Sequence, residues 1–165
     1  VYVALRALEQ LADAPWQLRI HGGPLRDPDL RALIDRGRAR GRVEYLGPYA
    51  ARQLPGVLAG IDALLIPSLW QETGPMVLME ALAGGLPVIA ARIGALADRI
   101  HHGRDGLLVR PGDPRELAAA MTRTVEGYAA LRRGVLTRRV RTVETAAREL
   151  LEVYQEARDR AARRR

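Results

Sequence analysis

Apolar residues recur along this chain with two different periods. Those spaced three or four positions apart indicate amphipathic helices, and short alternating or continuous apolar runs indicate strands. Val1, Leu5, Leu8 and Ala12 share one face of a first helix, which Pro15 should end. Further predicted helices cover residues 29–38, 51–59, 75–83, 95–101, 113–128 and 144–160. The predicted strands cover residues 16–20, 42–46, 63–66, 87–90 and 106–109.

Helices and strands therefore alternate from end to end. Strands separated by helices form parallel β-α-β units, so the sequence predicts an α/β fold, a Rossmann-like open parallel sheet with flanking helices. Residues 1–155 form this domain, with a C-terminal helix at about 144–160 and a basic tail at 156–165. Such folds open on a central strand, whereas this chain opens on a helix. A first strand is therefore expected to be missing or supplied from elsewhere, and exposed sheet edges predict dimerisation or aggregation.

Composition narrows the class of protein. Hydrophobic residues make up 48% of the chain, and no apolar run approaches the roughly 20 residues of a membrane-spanning helix. Cysteine is absent and the N-terminus does not resemble a signal peptide, so a cytoplasmic location is expected. The net charge is +7, and all 26 basic residues are arginines, with clusters at 132–141 and 158–165. With only 4% aromatic residues, these clusters indicate solvated helix faces rather than a nucleic-acid surface.

Residues 66–90 carry the most informative pattern, which is a buried strand, a polar loop, an apolar helix and a second strand. Ligands of open α/β sheets bind beyond the carboxyl ends of the strands, where this loop lies. The N–H groups and the positive dipole end of the following helix suit a diphosphate. Gly74 lets the backbone approach a ligand closely, and Pro75 suits a first helical position, which needs no N–H.

Glu80 interrupts a helix that is otherwise apolar on every side. Such a helix is expected to be buried, and a buried carboxylate without partners is costly. Two interpretations stay open: Glu80 accepts hydrogen bonds from the hydroxyls of a sugar or ribose, or a nearby arginine or backbone group satisfies it. No group of acidic or histidine residues has the spacing of a metal site, so no metal and no cofactor are expected.

Glu72 and Glu80 are separated by seven residues within the segment PSLWQETGPMVLMEALAGGLPVIAARIGALADRI. RVEYLGPY precedes this segment, and HHGRDGLLVRPGD and TVETAARELLEVYQEA follow it. In this order, the segments resemble the C-terminal, nucleotide-sugar-binding domain of the family-4 retaining glycosyltransferases, which have the GT-B fold. The resemblance covers residues 1–155. It implies that a nucleotide-diphosphate sugar is the donor substrate, and that the sugar is transferred with retention to an acceptor held by a missing N-terminal domain.

The resemblance also implies roles for individual residues. Glu72 would bind hydroxyls of the donor sugar, and Glu80 would bind those of the ribose. The further donor-binding positions are the backbone around Gly74, Met76 and Val77 for the diphosphate, Thr73 in the same loop, Leu46 and Tyr49 at the base, and Gly22 and Gly23 at the cleft floor. Two alternatives stay open, that Tyr49 packs on the next helix and that the glycine pair is a simple turn.

The other positions that the pattern singles out are not assigned a catalytic role. Gly94 takes the place of a glycine that the family has after the following strand, with Ala95 in place of a second one. His21, His101 and His102 are interpreted as surface or turn residues rather than catalytic bases. No residue is a convincing catalytic nucleophile, so none is named.

The chain departs from the family pattern in two ways. Thr73-Gly74-Pro75 stands where the family commonly has Phe-Gly, which leaves the identity of the sugar open. The family's first strand of this domain, with its arginine and lysine for the diphosphate, would precede Val1. This chain is therefore expected to bind the donor without turning over alone. Peripheral association of the full enzyme with the inner face of the membrane stays open.

Two other classes of function compete with this interpretation. One is a non-catalytic binding or scaffold module that docks another subunit through its basic C-terminal helix. The other is a dinucleotide-binding oxidoreductase domain, which is disfavoured because no G-x-G-x-x-G motif follows the first predicted strand.

Overall fold

The computed structural model describes residues 1–11, 14–139 and 142–163 as alternating helices and parallel strands. The helices are α1 (Tyr2–Glu9), α2 (Pro28–Ala39), α3 (Leu54–Ala59), α4 (Met76–Ala83), α5 (Gly94–Arg99), α6 (Pro114–Glu126), α7 (Tyr128–Leu136) and α8 (Val143–Ala162). The strands are β1 (Leu18–His21), β2 (Val43–Gly47), β3 (Leu64–Ile66), β4 (Val88–Ala91) and β5 (Gly106–Val109). A 3₁₀ turn, Ala51–Gln53, precedes α3.

The strands form two parallel sheets. β1 pairs with β2, with Leu18 beside Val43, and β3, β4 and β5 pair in that order, with Val88 between Leu64 and Gly106. Every residue of β4 and β5 is buried, as expected for parallel strands covered by helices on both faces. The predicted α/β class with parallel strands and flanking helices is confirmed.

Two groups of buried side chains form the core. The first joins Leu5 and Leu8 of α1 to Ile34 of α2 and to Leu117 and Met121 of α6, around β1, β2 and part of the second sheet. The second group lies around β3 and β4 and is made by buried side chains of α4, α5 and α7, namely Leu78, Leu82, Leu96 and Val135. These helices therefore cover the faces of the sheets. They leave the ends of the strands accessible, where a ligand could bind.

The two sheets meet at unpaired edges. Within the described residues, β1 pairs on one side with β2, and β3 pairs on one side with β4, so no strand joins β1 to β3. A Rossmann-like sheet would have a central strand at this place. The expected gap in the sheet is therefore present, and it lies between β1 and β3.

Helix ends differ from the sequence predictions at two places. α1 ends at Glu9, well before Pro15, and the predicted core residue Ala12 lies outside the described residues. α6 was expected to continue through Tyr128, but Gly127 ends it and Tyr128 begins α7. Glycine is a poor helix former, so a break at this position agrees with its low propensity.

The C-terminal helix is longer than predicted. The Thr142 side chain caps α8 by accepting a hydrogen bond from the backbone of Thr145 at 3.2 Å. The helix then runs to Ala162, so most of the predicted tail is helical, and none of its residues is buried. Residues 140–141 and 164–165 of the two basic clusters lie outside the described residues. Within the described part of the chain, no helix combines the length and apolar character needed to cross a membrane.

Candidate functional site

A cavity of about 290 Å³ opens at the carboxyl ends of β1 and β3. Its lining includes His21 from the end of β1, Tyr49 from the loop after β2 and Ile66 from the end of β3. Val77 and Glu80 of α4 complete this part of the wall. The cavity therefore lies where ligands bind in open α/β sheets, and it contains three of the predicted donor-binding residues.

Glu80 lines this cavity, and its carboxylate has no partner among the described residues. Glu80 is half-buried, and none of the described residues forms a hydrogen bond or an ion pair with its side chain. The satisfying arginine or backbone group of one interpretation is therefore not found within the described chain. An ionised carboxylate in this position can accept two hydrogen bonds from a ligand.

The N-terminus of α4 is open as well. Its N-cap is Pro75, which offers no side-chain acceptor. Leu78 donates its N–H to the Pro75 carbonyl at 3.1 Å, whereas the N–H groups of Met76 and Val77 have no acceptor among the described residues. The first turn also corrects the expectation of a fully buried helix, since Met76 is 73% exposed and Val77 is exposed. No described element covers this turn, which leaves its N–H groups and its dipole accessible.

Contacts with α5 hold the loop between β3 and α4. The amide of Ala95 donates to the Glu72 carbonyl at 3.0 Å. Gly94 has a φ of +50°, and a Cβ atom there would lie 2.9 Å from the same carbonyl oxygen. The Ser68 hydroxyl donates to the Glu72 carboxylate. Gly94 therefore packs closely against the backbone that carries Glu72, and Ser68 orients its side chain.

An aromatic pair forms another wall of the cavity. The rings of His21 and Tyr49 meet edge to face, with centroids 5.1 Å apart and an interplanar angle of 89°. His21 also approaches the Gly47 carbonyl, with Nδ1 at 3.3 Å from the oxygen. The sequence prediction treated His21 as a surface or turn residue, but the structure places it in the cavity wall. The sequence feature that could have indicated this placement is the position of His21 directly after an apolar strand.

The remaining predicted residues surround this cavity without lining it. Glu72, Thr73, Gly74 and Met76 lie in the adjoining loop and first turn of α4. Gly22 and Gly23 follow β1, where the Tyr45 hydroxyl donates to their carbonyls. Leu46 is 51% exposed and does not line the cavity. Side chains of neighbouring strand residues point to opposite faces, so Leu46 points away from the cavity and Tyr45 contacts the turn at Gly22 and Gly23.

The other two histidines lie in a separate network. The buried carboxylate of Asp105 contacts His101 Nδ1 at 2.8 Å and Arg138 at 2.6 Å. His102 Nδ1 accepts the Leu108 amide at 2.9 Å, and burial, followed by the nearby arginines, lowers the pKa of His102. These contacts tie the residues before β5 to the end of α7. They support the fold rather than the cavity.

Other parts of the molecule are less suited to bind a ligand or a metal ion. A larger cavity of about 480 Å³ lies between α1 and α2 and includes Leu8, Leu33 and the ion pair of Glu9 with Arg36. It touches no carboxyl end of the second sheet. Throughout the residues that the structure describes, no three histidine or acidic side chains lie close enough together to hold a metal ion. That the site works without a metal or cofactor stays a prediction.

Comparison with known proteins gives a consistent result. The family described as Glycosyl transferases group 1 matches residues 1–127. The chain is similar to a D-inositol 3-phosphate glycosyltransferase of Nocardioides sp., at 34% identity over 94% of this chain and 38% of that protein. It is also similar to an exopolysaccharide phosphotransferase of Streptomyces coelicolor, at 40% identity over 74% of this chain and 13% of that protein.

Solved structures show the same likeness. Anabaena Alr3699/HepE in complex with UDP superposes with a TM-score of 0.83 at 25% identity, over 94% of this chain and 44% of that chain. Its complex with UDP-glucose gives a TM-score of 0.71 at 27% identity, over 81% of this chain and 37% of that chain. This likeness confirms the predicted Rossmann-like fold. The chain spans less than half the length of each of these proteins.

Proposed function

We propose that this chain, which belongs to the Glycosyl transferases group 1 family, is the part of a glycosyltransferase that binds the nucleotide-sugar donor. The observation that carries this proposal is Glu80, a half-buried residue that lines the cavity at the strand ends and whose carboxylate has no partner among the described residues. A carboxylate held in this way costs free energy unless a ligand supplies its hydrogen bonds. Two neighbouring hydroxyls of a ribose match its two oxygens.

The diphosphate binds at the N-terminus of α4 in this proposal. The accessible N–H groups of Met76 and Val77 donate to phosphate oxygens, and Gly74 leaves open space beside them, since a Cβ there would meet nothing within 4 Å. The same groups stabilise the negative charge that grows on the leaving diphosphate as the sugar departs. Glu72 and Thr73 lie on the sugar side of this turn.

The base occupies the aromatic side of the cavity. Tyr49 and His21 form that wall, and Gly22 and Gly23 follow His21 directly in the chain. Leu46 contributes through the strand that leads to this loop rather than by contact with the base. The complexes of Anabaena Alr3699/HepE with UDP and UDP-glucose support a uridine nucleotide as the first ligand to test.

The transfer itself needs groups beyond this chain. Because the chain spans 38% of the Nocardioides relative, the acceptor and the rest of the catalytic machinery are assigned to other parts of a longer enzyme. We place the enzyme among the family-4 glycosyltransferases that retain the anomeric configuration. None of the residues around the cavity is assigned as a nucleophile, so the chain alone binds the donor and does not turn over.

Thermal unfolding with UDP, GDP and ADP tests the proposal. A ligand present at about 100 times its dissociation constant adds about 2.7 kcal/mol to the free energy of unfolding. We expect UDP to raise the unfolding temperature of the chain and Glu80→Gln to remove most of that shift. Because the carboxylate has no protein partner among the described residues, the same variant should not lose stability without nucleotide.

Glu126→Gln is the matched control, since Glu126 is an exposed glutamate at the end of α6, outside the cavity. It should respond to UDP like the unmodified chain. Equal shifts in Glu80→Gln and Glu126→Gln would contradict the role of Glu80. No shift with any of the three nucleotides would favour the non-catalytic binding module instead.

A further inference from the structure

The carbonyl of Gly47 contacts two groups on the aromatic side of the cavity. It accepts the Gly22 amide at 3.1 Å, and Nδ1 of His21 lies 3.3 Å from the same oxygen. The register of β1 with β2 shifts between Ile20 and His21, which leaves Leu46 without a pairing partner. Gly47 follows at a φ of +69°, in the left-handed region that favours glycine. The end of β2 is therefore bulged where its carbonyl meets His21.

The contact with Gly47 decides which nitrogen of His21 carries the proton. A carbonyl oxygen only accepts hydrogen bonds, so Nδ1 of His21 is the donor. In a neutral imidazole with its proton on Nδ1, the other nitrogen, Nε2, keeps a free lone pair and acts as an acceptor. The neutral ring of His21 therefore offers an acceptor at Nε2.

Nε2 of His21 is available to a ligand. Within the described part of the chain, the only buried side-chain nitrogen or oxygen without a partner is Nε1 of Trp16, and no described residue bonds to Nε2 of the half-buried His21. Nε2 is therefore accessible, in a ring that lines the 290 Å³ cavity. The edge-to-face contact with Tyr49 holds this ring in addition to Gly47. A side chain that is already held loses little conformational entropy when a ligand binds.

We propose that His21 selects the base of the nucleotide by accepting a hydrogen bond from an N–H group at the edge of the base. This role rests on the proposed function, because it needs a nucleotide in the cavity. The N3–H of uracil is a matching donor. Cytosine has the same ring size but carries a lone pair at N3, so two acceptors would face each other and neither would have a donor. His21 therefore favours a uridine nucleotide over a cytidine nucleotide.

Titration calorimetry of UDP and CDP with the unmodified chain and with His21→Phe tests this role. Phenylalanine keeps an aromatic ring beside Tyr49 but has no acceptor. At pH 8, we expect the unmodified chain to bind UDP about tenfold or more tightly than CDP, because CDP leaves the acceptor without a donor. In His21→Phe this preference should fall to about threefold or less, since neither base can bond to the ring.

Two controls accompany the titrations. Glu126→Gln, outside the cavity, should keep the preference for UDP. Chemical denaturation of His21→Phe without nucleotide checks that the variant folds.

The tautomer of His21 can be measured without any substitution. Side-chain ¹⁵N NMR of the unmodified chain distinguishes the two ring nitrogens, and we expect the proton on Nδ1 at pH 8. Addition of UDP should then shift the signal of Nε2, whereas CDP should shift it less. A ring that carries its proton on Nε2 would overturn the role of His21, because that nitrogen would be a donor.

The outcomes distinguish the role of His21 from the proposed function. An equal preference for UDP in the unmodified chain and in His21→Phe overturns the role of His21 and leaves donor binding intact. Tighter binding of CDP to the unmodified chain overturns it as well, since Nε2 would then donate to N3 of cytosine. If the unmodified chain binds neither nucleotide, the proposed function fails, and the role of His21 fails with it.

Discussion

Two helices of this chain begin in similar sequence contexts and end up with opposite surroundings. α6 begins at Pro114 after its N-cap Asp113, and the Asp113 carboxylate accepts hydrogen bonds from the amides of Arg115 at 2.9 Å and Glu116 at 3.0 Å. α4 follows Gly74-Pro75, and its N-cap supplies no side-chain acceptor. The first turn of α6 is therefore satisfied by the protein itself, whereas that of α4 is left for another partner.

A third helix, α2, is capped in the same way as α6. It begins at Pro28 after its N-cap Asp27, and the Asp27 carboxylate accepts hydrogen bonds from the amides of Asp29 at 2.9 Å and Leu30 at 3.2 Å. The chain thus places an aspartate directly before the proline at the start of α2 and of α6. At the strand ends beside Glu80, it places a glycine there instead. In the proposed function, an anion binds at the open N-terminus of α4.

Introducing a side-chain N-cap at the start of α4 should have the largest effect on UDP binding. Pro75 has the extended backbone of an N-cap, with φ −66° and ψ 109°, close to the φ −98° and ψ 102° of Asp113. In Pro75→Asp, the new carboxylate should occupy the amides of the first turn and repel a diphosphate. We expect the UDP-dependent stabilisation, about 2.7 kcal/mol at 100 times the dissociation constant, to disappear. Thermal unfolding with and without UDP measures it.

Pro75→Asn is the matched control for that experiment. Asparagine caps a helix about as well as aspartate but carries no charge. It should therefore weaken UDP binding less than Pro75→Asp does. If UDP stabilises Pro75→Asp as much as the unmodified chain, the diphosphate does not bind at α4.

Substitutions of two glycines at this site should distinguish an effect on stability from an effect on UDP binding. Gly94→Ala forces an alanine into a φ of +50° and brings its Cβ to 2.9 Å from the Glu72 carbonyl oxygen, so we expect a loss of about 1–3 kcal/mol. Gly74→Ala meets nothing within 4 Å and should leave the stability of the free chain nearly unchanged. It should instead weaken UDP binding by filling the space beside the amides. Chemical denaturation and UDP titration of both variants give the two readings, and the reverse pattern would refute the assigned roles.

The alternation of elements could be predicted from the sequence because each element carries a local signal. Asp113-Pro114 marks the start of α6, and the apolar run at Ala63–Ile66 marks a buried strand, whose three-residue core is β3. Glu116 stands three residues after Asp113, where a capping box would pair its side chain with the Asp113 amide. Glu116 accepts the amide of Arg110 at 3.0 Å, so its carboxylate closes the preceding turn instead.

The site was less predictable because it depends on contacts between distant segments. The pattern around Glu80 could not decide whether an arginine meets the carboxylate, since any of 26 arginines was a candidate. Nor could it show that Met76 is exposed, because apolar composition alone suggests burial on every side. His21 and Tyr49 are 28 positions apart, and only the pairing of β1 with β2 brings their rings together.

Removing the charge of Asp113, the N-cap of α6, should have the smallest effect. The dependence of the unfolding temperature on pH should reveal it. Hydrogen bonds from the backbone, first of all from the Glu116 amide, lower the pKa of Asp113 below its ordinary value of 3.8. A carboxylate whose pKa is lower in the folded chain stabilises the fold above the ordinary pKa, and this contribution is lost as pH falls through the folded value. Asp113→Asn keeps a capping oxygen but does not titrate. The unmodified chain should therefore unfold at a higher temperature than Asp113→Asn near neutral pH, by about 2–4 °C at most.

That difference should shrink below about pH 4, as Asp113 becomes protonated, and UDP should stabilise both proteins equally at pH 7. Comparing the two proteins at each pH cancels the titration of the other carboxylates, which they share. A difference that stayed constant from pH 6 to pH 3 would mean that the charge of Asp113 does not stabilise α6. The contrast between α6 and α4 would then rest on hydrogen-bond geometry alone. The two helices would differ in which amides of the first turn have an acceptor, but a negative charge at the N-terminus would not stabilise either helix.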